Sequence, residues 1–286
     1  MESSSAEVLA TKKNGVIEGT APSVRTSRVK GFDLADRWLN RLARFASAMH
    51  EGFWLGCLNA DELNAVTAEH FDRSQFYAST EHNLSGFFGW EKSVLDRFFR
   101  RGSRILVAGA GGGREVLALR KAGFDAEGFE CSAPLVRASE KIFDRVGESK
   151  YVTLCEPDSV PPGPRIYEGL VVGWTVYTHI PTKARRVAFL QALSQRALPG
   201  SPLLISFFAR HSGSREDVLV HRTARLCRFL LRGRKEPLEV GDRISYARFV
   251  RWFSSGEVEA ELRTAGFRSV HYGAEGDMGY TVGVAE

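Results

Sequence analysis

The sequence predicts an α/β fold: a doubly wound, mostly parallel seven-stranded sheet with an antiparallel last strand and a helical cap on its N-terminal side. Three observations lead there. The stretch ILVAGAGGGRE at 105–115 joins a short apolar run to a glycine turn and then to a helical pattern, VLALRKAG, which is how an open α/β sheet begins. Apolar runs then alternate with helical patterns through residue 209 over short links, as parallel strands with crossover helices require. Near the end, FRSVHY and MGYTVGVAE are separated only by the turn-like GAEGD, so those two strands must be antiparallel.

Taken in order, residues 1–30 mix Ser, Thr, Lys and Gly with few large apolar groups and read as a mobile tail. Residues 31–100 read as a helical cap and lead-in. Over 33–58 the pattern is amphipathic, with Leu34, Trp38, Leu42 and Phe45 on one helical face and Arg37, Arg41 and Arg44 on another. That helix either packs on the main domain or covers its site. A second helix is predicted at 60–71. Residues 76–91, FYASTEHNLSGFFGWE, gather Tyr77, His82, Asn83, Phe87, Phe88 and Trp90. They form either a packed aromatic connector or a pocket wall that also offers hydrogen bonds.

Residues 101–286 read as the main domain. The second strand ends at Glu130, and Ser132 caps the next helix with Pro134 in its first turn. YVTLC, 167–175 and 201–209 are the third to fifth strands. An insertion at 211–245 breaks the rhythm with a basic amphipathic helix: Arg222, Arg225, Arg228, Arg232, Arg234 and Lys235 lie opposite Val218, Leu219, Leu226, Phe229 and Leu230. It reads as a sheet-edge helix with a solvated face, a lid for an acidic substrate, or a surface for membrane or nucleic acid. YARFVRWFSSGEVEAELRTAGF returns to a helical pattern, with Ser254 or Ser255 as N-cap and Gly266 as the stop.

The glycine register narrows the ligand. A dinucleotide fingerprint would place its third glycine at 114, where this chain has Arg114. The register that fits is Gly109-x-Gly111-x-Gly113, with an acid, Glu130, about 20 residues on to receive ribose hydroxyls. This resembles the first motif of class I S-adenosylmethionine-dependent methyltransferases. The resemblance spans roughly residues 76–286 apart from the insertion, and it implies a strand order of 3-2-1-4-5-7-6. It also implies S-adenosylmethionine as cofactor, met by Gly109, Ala110, Gly111, Gly113, Arg114, Glu130, Cys131 and Trp174, with Asp158, or else Glu156, at the adenine amino group. One departure is Val107, where many members carry an acid; Glu115, Arg114 or a residue of 76–91 must then serve the methionine end.

Ligands of such sheets sit beyond the carboxyl ends of the strands. His179, Tyr177 and His82 are therefore the candidate catalytic groups, His179 as a general base or as a cap of the helix near Thr182. Trp174, Tyr177 and the aromatics of 87–90 are candidates for cation–π contact with a sulfonium. The fourth strand lacks an Asn-Pro-Pro-Tyr-like ending, which argues against base amines and protein glutamine as acceptors. The reading is a methyltransferase acting on a small molecule at O, N or C, with the acceptor acidic or aromatic. A nicotinamide-dependent oxidoreductase and a non-catalytic S-adenosylmethionine-binding module are the alternatives.

Bulk properties exclude several classes. Net charge is +5, mildly basic, which favours anionic partners without requiring nucleic acid. Cys57, Cys131, Cys155 and Cys227 form no CxxC pair, so neither a metal site nor a disulfide framework is expected. No signal peptide or membrane span is predicted, and a cytoplasmic location fits.

Overall fold

Strand β1, Arg104–Ala108, shows how the core is divided. Its side chains alternate between faces. Ile105 and Val107 enter one apolar cluster with Val94 and Leu95, Val116 and Leu119, and Ile142 and Phe143. Leu106 and Ala108 enter another with Phe189, Leu190, Val258 and Leu262. A strand buried on both faces must be covered by helices on both, so a continuous apolar run was the right sequence signal.

The computed structural model describes residues 27–210, 214–231 and 236–286. It divides into two compact units, one ending at Arg44 and one spanning Phe45–Glu286. The first holds the opening turns of α1, Ser27–Cys57. Residues 27–30, expected in a mobile tail, are thus helical, and residues 1–26 of that tail lie outside the described residues. None of the described helices is long and apolar enough to cross a membrane.

In the second unit, α2 (Ala60–Asp72) starts on a capping box, with Asn59 accepting from Glu62 N–H at 2.7 Å and Glu62 accepting from Asn59 N–H at 2.6 Å. The short helices α3 (Gln75–Ala78) and α4 (Thr80–Leu84) follow, then α5 (Gly89–Phe98). The parallel core is β1, α6 (Arg114–Lys121), β2 (Asp125–Glu130), α7 (Ala133–Val146), β3 (Val152–Leu154), β4 (Gly169–Val172), α8 (Lys183–Ser194) and β5 (Pro202–Ala209). A 3-10 turn, Val176–His179, links β4 to α8. As expected, Ser132 caps α7.

After β5 come α9 (Arg215–Leu230), β6 (Asp242–Ser245), β7 (Arg248–Phe253), α10 (Ser255–Thr264) capped by Ser254, β8 (Phe267–Glu275) and β9 (Met278–Ala285). The order is β3-β2-β1-β4-β5, continued antiparallel by β9 and then β8. This is the expected 3-2-1-4-5-7-6 arrangement. The addition is the β6–β7 hairpin, whose Trp252 and Phe253 pair in parallel with Phe208 and Ala209 at the far end of β5. The segment expected to turn helical after residue 245 therefore first makes a strand. Phe249, Val250, Arg251 and Phe253 are buried on both sides of it, so no alternation marked it. Arg232, Arg234 and Lys235 of the insertion lie outside the described residues.

Candidate functional site

β1 delivers the chain into the glycine turn at the carboxyl edge of the sheet. Gly109, Gly111 and Gly113 all have positive φ, the backbone region that glycine enters without strain. Two of them also solve packing problems: a Cβ at Gly109 would meet Val176 at 2.6 Å, and one at Gly113 would meet Phe143 at 2.6 Å. At Gly111 a Cβ would meet nothing within 4 Å, because that position faces an open cleft. The cleft encloses about 1090 Å³, including solvent at its mouth.

Glu130, at the end of β2, fixes the turn. Its carboxylate accepts from the backbone N–H of Gly111 at 2.8 Å, Cys131 at 2.8 Å and Ser132 at 2.9 Å. The half-buried Cys155 thiol nearby stays neutral: burial and the Glu130 charge push it up to about 11. On the loop after β3, Asp158 lines the cleft and accepts from Asn64 at 2.6 Å and Arg185 at 3.3 Å.

The opposite wall is aromatic. His179, Phe71 and Tyr77 succeed one another with ring centroids 5.1 and 5.4 Å apart, and Tyr77 continues to His82 at 5.6 Å and Trp174 at 6.5 Å. Trp174 and Thr175 are aimed by a strained turn: Thr175 has φ 58°, and its N–H donates to Ser206 Oγ at 2.8 Å. His179 Nδ1 lies 2.8 Å from the Phe249 carbonyl of β7. A carbonyl can only accept, so Nδ1 carries the proton and Nε2 keeps its lone pair. Burial, with the nearby Arg248 charge, lowers His179 to about 3, and burial with Arg114 lowers His82 to about 4. Both imidazoles are neutral near pH 7.

Of the residues singled out in the sequence, Gly109, Ala110, Gly111, Arg114, Glu130, Cys131, Asp158, Trp174, His82 and His179 line this cleft, as does Glu156. Gly113 sits behind it as the N-cap of α6. Tyr177 does not face it: the side chain is fully buried and its hydroxyl donates to Glu261. Arg114 is consumed internally. Its guanidinium forks onto Glu91 at 2.7 Å through both nitrogens, meets Glu115 at 2.6 Å, and stacks 4.2 Å from the Phe88 ring centre. Phe88 and Trp90 are packing residues, Trp90 stacked on Tyr280 at 4.7 Å, whereas Tyr77, His82 and Asn83 of the same segment line the cleft. His179 does not cap α8, since Thr182 does so.

The sequence reading missed the α2 wall. Asn64, Thr67, Ala68 and Phe71 all line the cleft. Their i, i+3, i+4, i+7 spacing was a legible signal for one helix face, though not for what that face covers. No residue of α9 lines the cleft, so its arginines form no part of this pocket.

No protein-family model matches the chain, and no curated protein matches it in sequence. Solved structures do. An S-adenosylmethionine-dependent methyltransferase of Methanosarcina mazei superimposes with a TM-score of 0.54 at 14% identity, covering 70% of this chain and 98% of that one. The 1,6-didemethyltoxoflavin-N1-methyltransferase of Burkholderia thailandensis, solved with its substrate and S-adenosylhomocysteine, gives 0.57 at 17% identity, covering 80% and 92%. The chain has the class I methyltransferase fold. The CcbJ methyltransferase of Streptomyces caelestis shares it too, at a TM-score of 0.51 and 12% identity over 77% of this chain and 96% of that one. In a methyltransferase-type sheet, the cleft lies where ligands of open α/β sheets bind, beyond the carboxyl ends of the strands.

Proposed function

We propose that the cleft binds S-adenosylmethionine and that the protein methylates a small molecule held against the aromatic wall. The observation that carries this reading is the meeting of Glu130 and Gly111 at one wall of the cleft, an acid and an unobstructed backbone where an adenosine would lie. Glu130 would receive the ribose hydroxyls and Asp158 the adenine amino group. Glu115, which lines the cleft and already accepts from Trp174 N–H at 3.1 Å, takes the place of the acid missing at Val107 and meets the methionine ammonium. Bound there, the cofactor supplies an electrophilic methyl group on a sulfonium.

The chain's own task is to orient the acceptor and exclude water. Tyr77 and Trp174 offer π faces to a cation. His179, neutral with Nε2 unprotonated, is the group suited to take a proton from an acceptor O–H or N–H. An aromatic acceptor fits the wall formed by Phe71, Tyr77 and Trp174. The 1,6-didemethyltoxoflavin bound in the Burkholderia protein is in keeping with a small-molecule acceptor.

Calorimetric titration of the full chain tests the reading. S-adenosylmethionine and S-adenosylhomocysteine should bind at micromolar concentrations, Glu130→Ala should weaken both, and NADPH should not bind. Binding of NADPH alone would favour the oxidoreductase. Binding without turnover across a panel of hydroxy- and amino-aromatics would favour a non-catalytic module.

A further inference from the structure

The cleft leaves one large feature of the chain unused. α9 and the part of α1 from Phe45 onward lie side by side. A Cβ at Gly52 would meet Val220 O and Thr223 Cβ at 2.6 Å, one at Gly56 would meet Cys227 Cβ at 2.6 Å, and Thr223 Oγ1 lies 3.2 Å from Met49 Sδ. Glycines at 52 and 56 let the two backbones approach this closely. The pair buries Ala48, Leu55, Val220 and Ala224 against Leu63 and Phe249.

What it leaves outside is unusual. On α1, Phe45, Met49, Phe53 and Trp54 are exposed, and on α9 and just after it Leu226, Phe229, Leu230 and Leu231 are exposed, Phe229 by 80%. Scattered single apolar residues on a surface are ordinary, but eight large ones on two adjoining helices are not. The charge beside them is basic. Arg222 and Arg225 are exposed among these residues, and Arg225, Arg228 and His221 border an open hollow with Pro237 and Leu238. The acid at Asp217 is already engaged by Arg243 at 3.0 Å. Taken by itself, the helix over 27–44 repeats the composition, with Phe32, Trp38, Leu39 and Leu42 exposed and Lys30, Arg37, Arg41 and Arg44 in the same turns.

We propose that the juxtaposed faces of α9 and the second half of α1 dock the protein onto an anionic lipid bilayer. Exposed Phe, Trp and Leu with flanking Arg is the composition that settles a helix in the headgroup region, and none of the described helices is apolar enough to go further. Positive charge selects the partner. Anionic headgroups attract Arg222 and Arg225, whereas an isologous contact between two copies would bring each cationic face towards its own kind.

Vesicle co-sedimentation of the full chain tests this, with phosphatidylcholine vesicles and vesicles containing about one-third phosphatidylserine as probes. The chain should sediment with the anionic vesicles at low salt and not with the neutral ones, and binding should fall at least tenfold near 0.5 M salt. Phe229→Ser with Leu230→Ser, and separately Arg222→Gln with Arg225→Gln, should each reduce binding about tenfold. These side chains are exposed, so the thermal midpoint should not move. Absence of anionic-vesicle binding overturns the proposal, as does binding indifferent to both double variants. A dimer in light scattering that dissociates in the Phe229→Ser/Leu230→Ser variant, without vesicle binding, also overturns it and assigns the face to a second copy. Retention on nucleic acid in place of vesicles does the same in favour of a polynucleotide.

Discussion

His179 Nδ1 meets the carbonyl oxygen of Phe249 at 2.8 Å, across 70 residues of sequence. The bond joins the turn after β4 to the added β7 strand and fixes which imidazole nitrogen faces the cleft. His179→Ala should therefore lower kcat by about 10²–10⁴-fold if proton removal accompanies methyl transfer. Cofactor affinity should stay within a factor of two or three. Single-turnover kinetics alongside calorimetry separates the two effects.

The same imidazole makes stability depend on pH. His179 and His82 have pKa values of about 3 and 4 in the fold, below the unfolded value, because burial disfavours their charged forms. An unfolded chain binds more protons between those values and about pH 6.5, so stability is complete above that pH and is lost as pH falls towards the folded values. Scanning calorimetry from pH 7 to 4.5 should show a falling midpoint. His82→Asn should flatten part of the fall, by about 1–2 kcal/mol, on the order of several degrees.

Arg114 is expected to matter for folding rather than for ligand contact. Arg114→Ala leaves Glu91 and Glu115 facing each other in a buried site and should cost about 3–5 kcal/mol. Arg114→Met with Glu91→Gln should recover much of that. Chemical denaturation of the single and double variants tests it.

At the glycine turn, Gly111→Val should remove S-adenosylmethionine binding while the chain still folds. A Cβ there points into the cleft and meets no atom within 4 Å beyond its chain neighbours, and the residue's positive φ adds roughly 1–2 kcal/mol of strain. Gly113→Ala should instead destabilise the fold, since its Cβ would enter Phe143. Loss of binding in the second variant at unchanged stability would contradict this division.

Replacing Arg222, Arg225 and Arg228 together with Gln should leave the acceptor's KM unchanged, since none of the three lines the cleft. A rise in KM would mean that α9 reaches the acceptor during turnover.

The parts of this protein legible in its sequence are those written locally. The apolar run into the glycine turn, the acid ending β2 and the Ser132 cap each lie within a few residues of what they act on. Glu130 meets Gly111 because parallel pairing sets Ala108 beside Phe129, a register that the motif spacing already implies. The misreadings come from contacts between distant segments. Nothing near Arg114 announced that Glu91 would claim it. Nothing near Tyr177 announced Glu261 on α10. β7 is enclosed on both faces by elements far away in sequence, so its aromatic and basic residues showed no strand period.

Glu130 accepts from the Gly111 amide of the glycine turn and from the amides of Cys131 and Ser132 that follow it, and it lines the cleft proposed to hold the ribose. On the proposed reading, a single carboxylate would serve both the shape of the loop and the choice of guest. Any drift towards a different cofactor must rebuild the loop's anchorage in the same step, because exchanging this residue alone strands the amides of Gly111, Cys131 and Ser132. Selection acting on the rest of the chain can reshape the acceptor wall one aromatic at a time, while this corner changes only in concert or not at all.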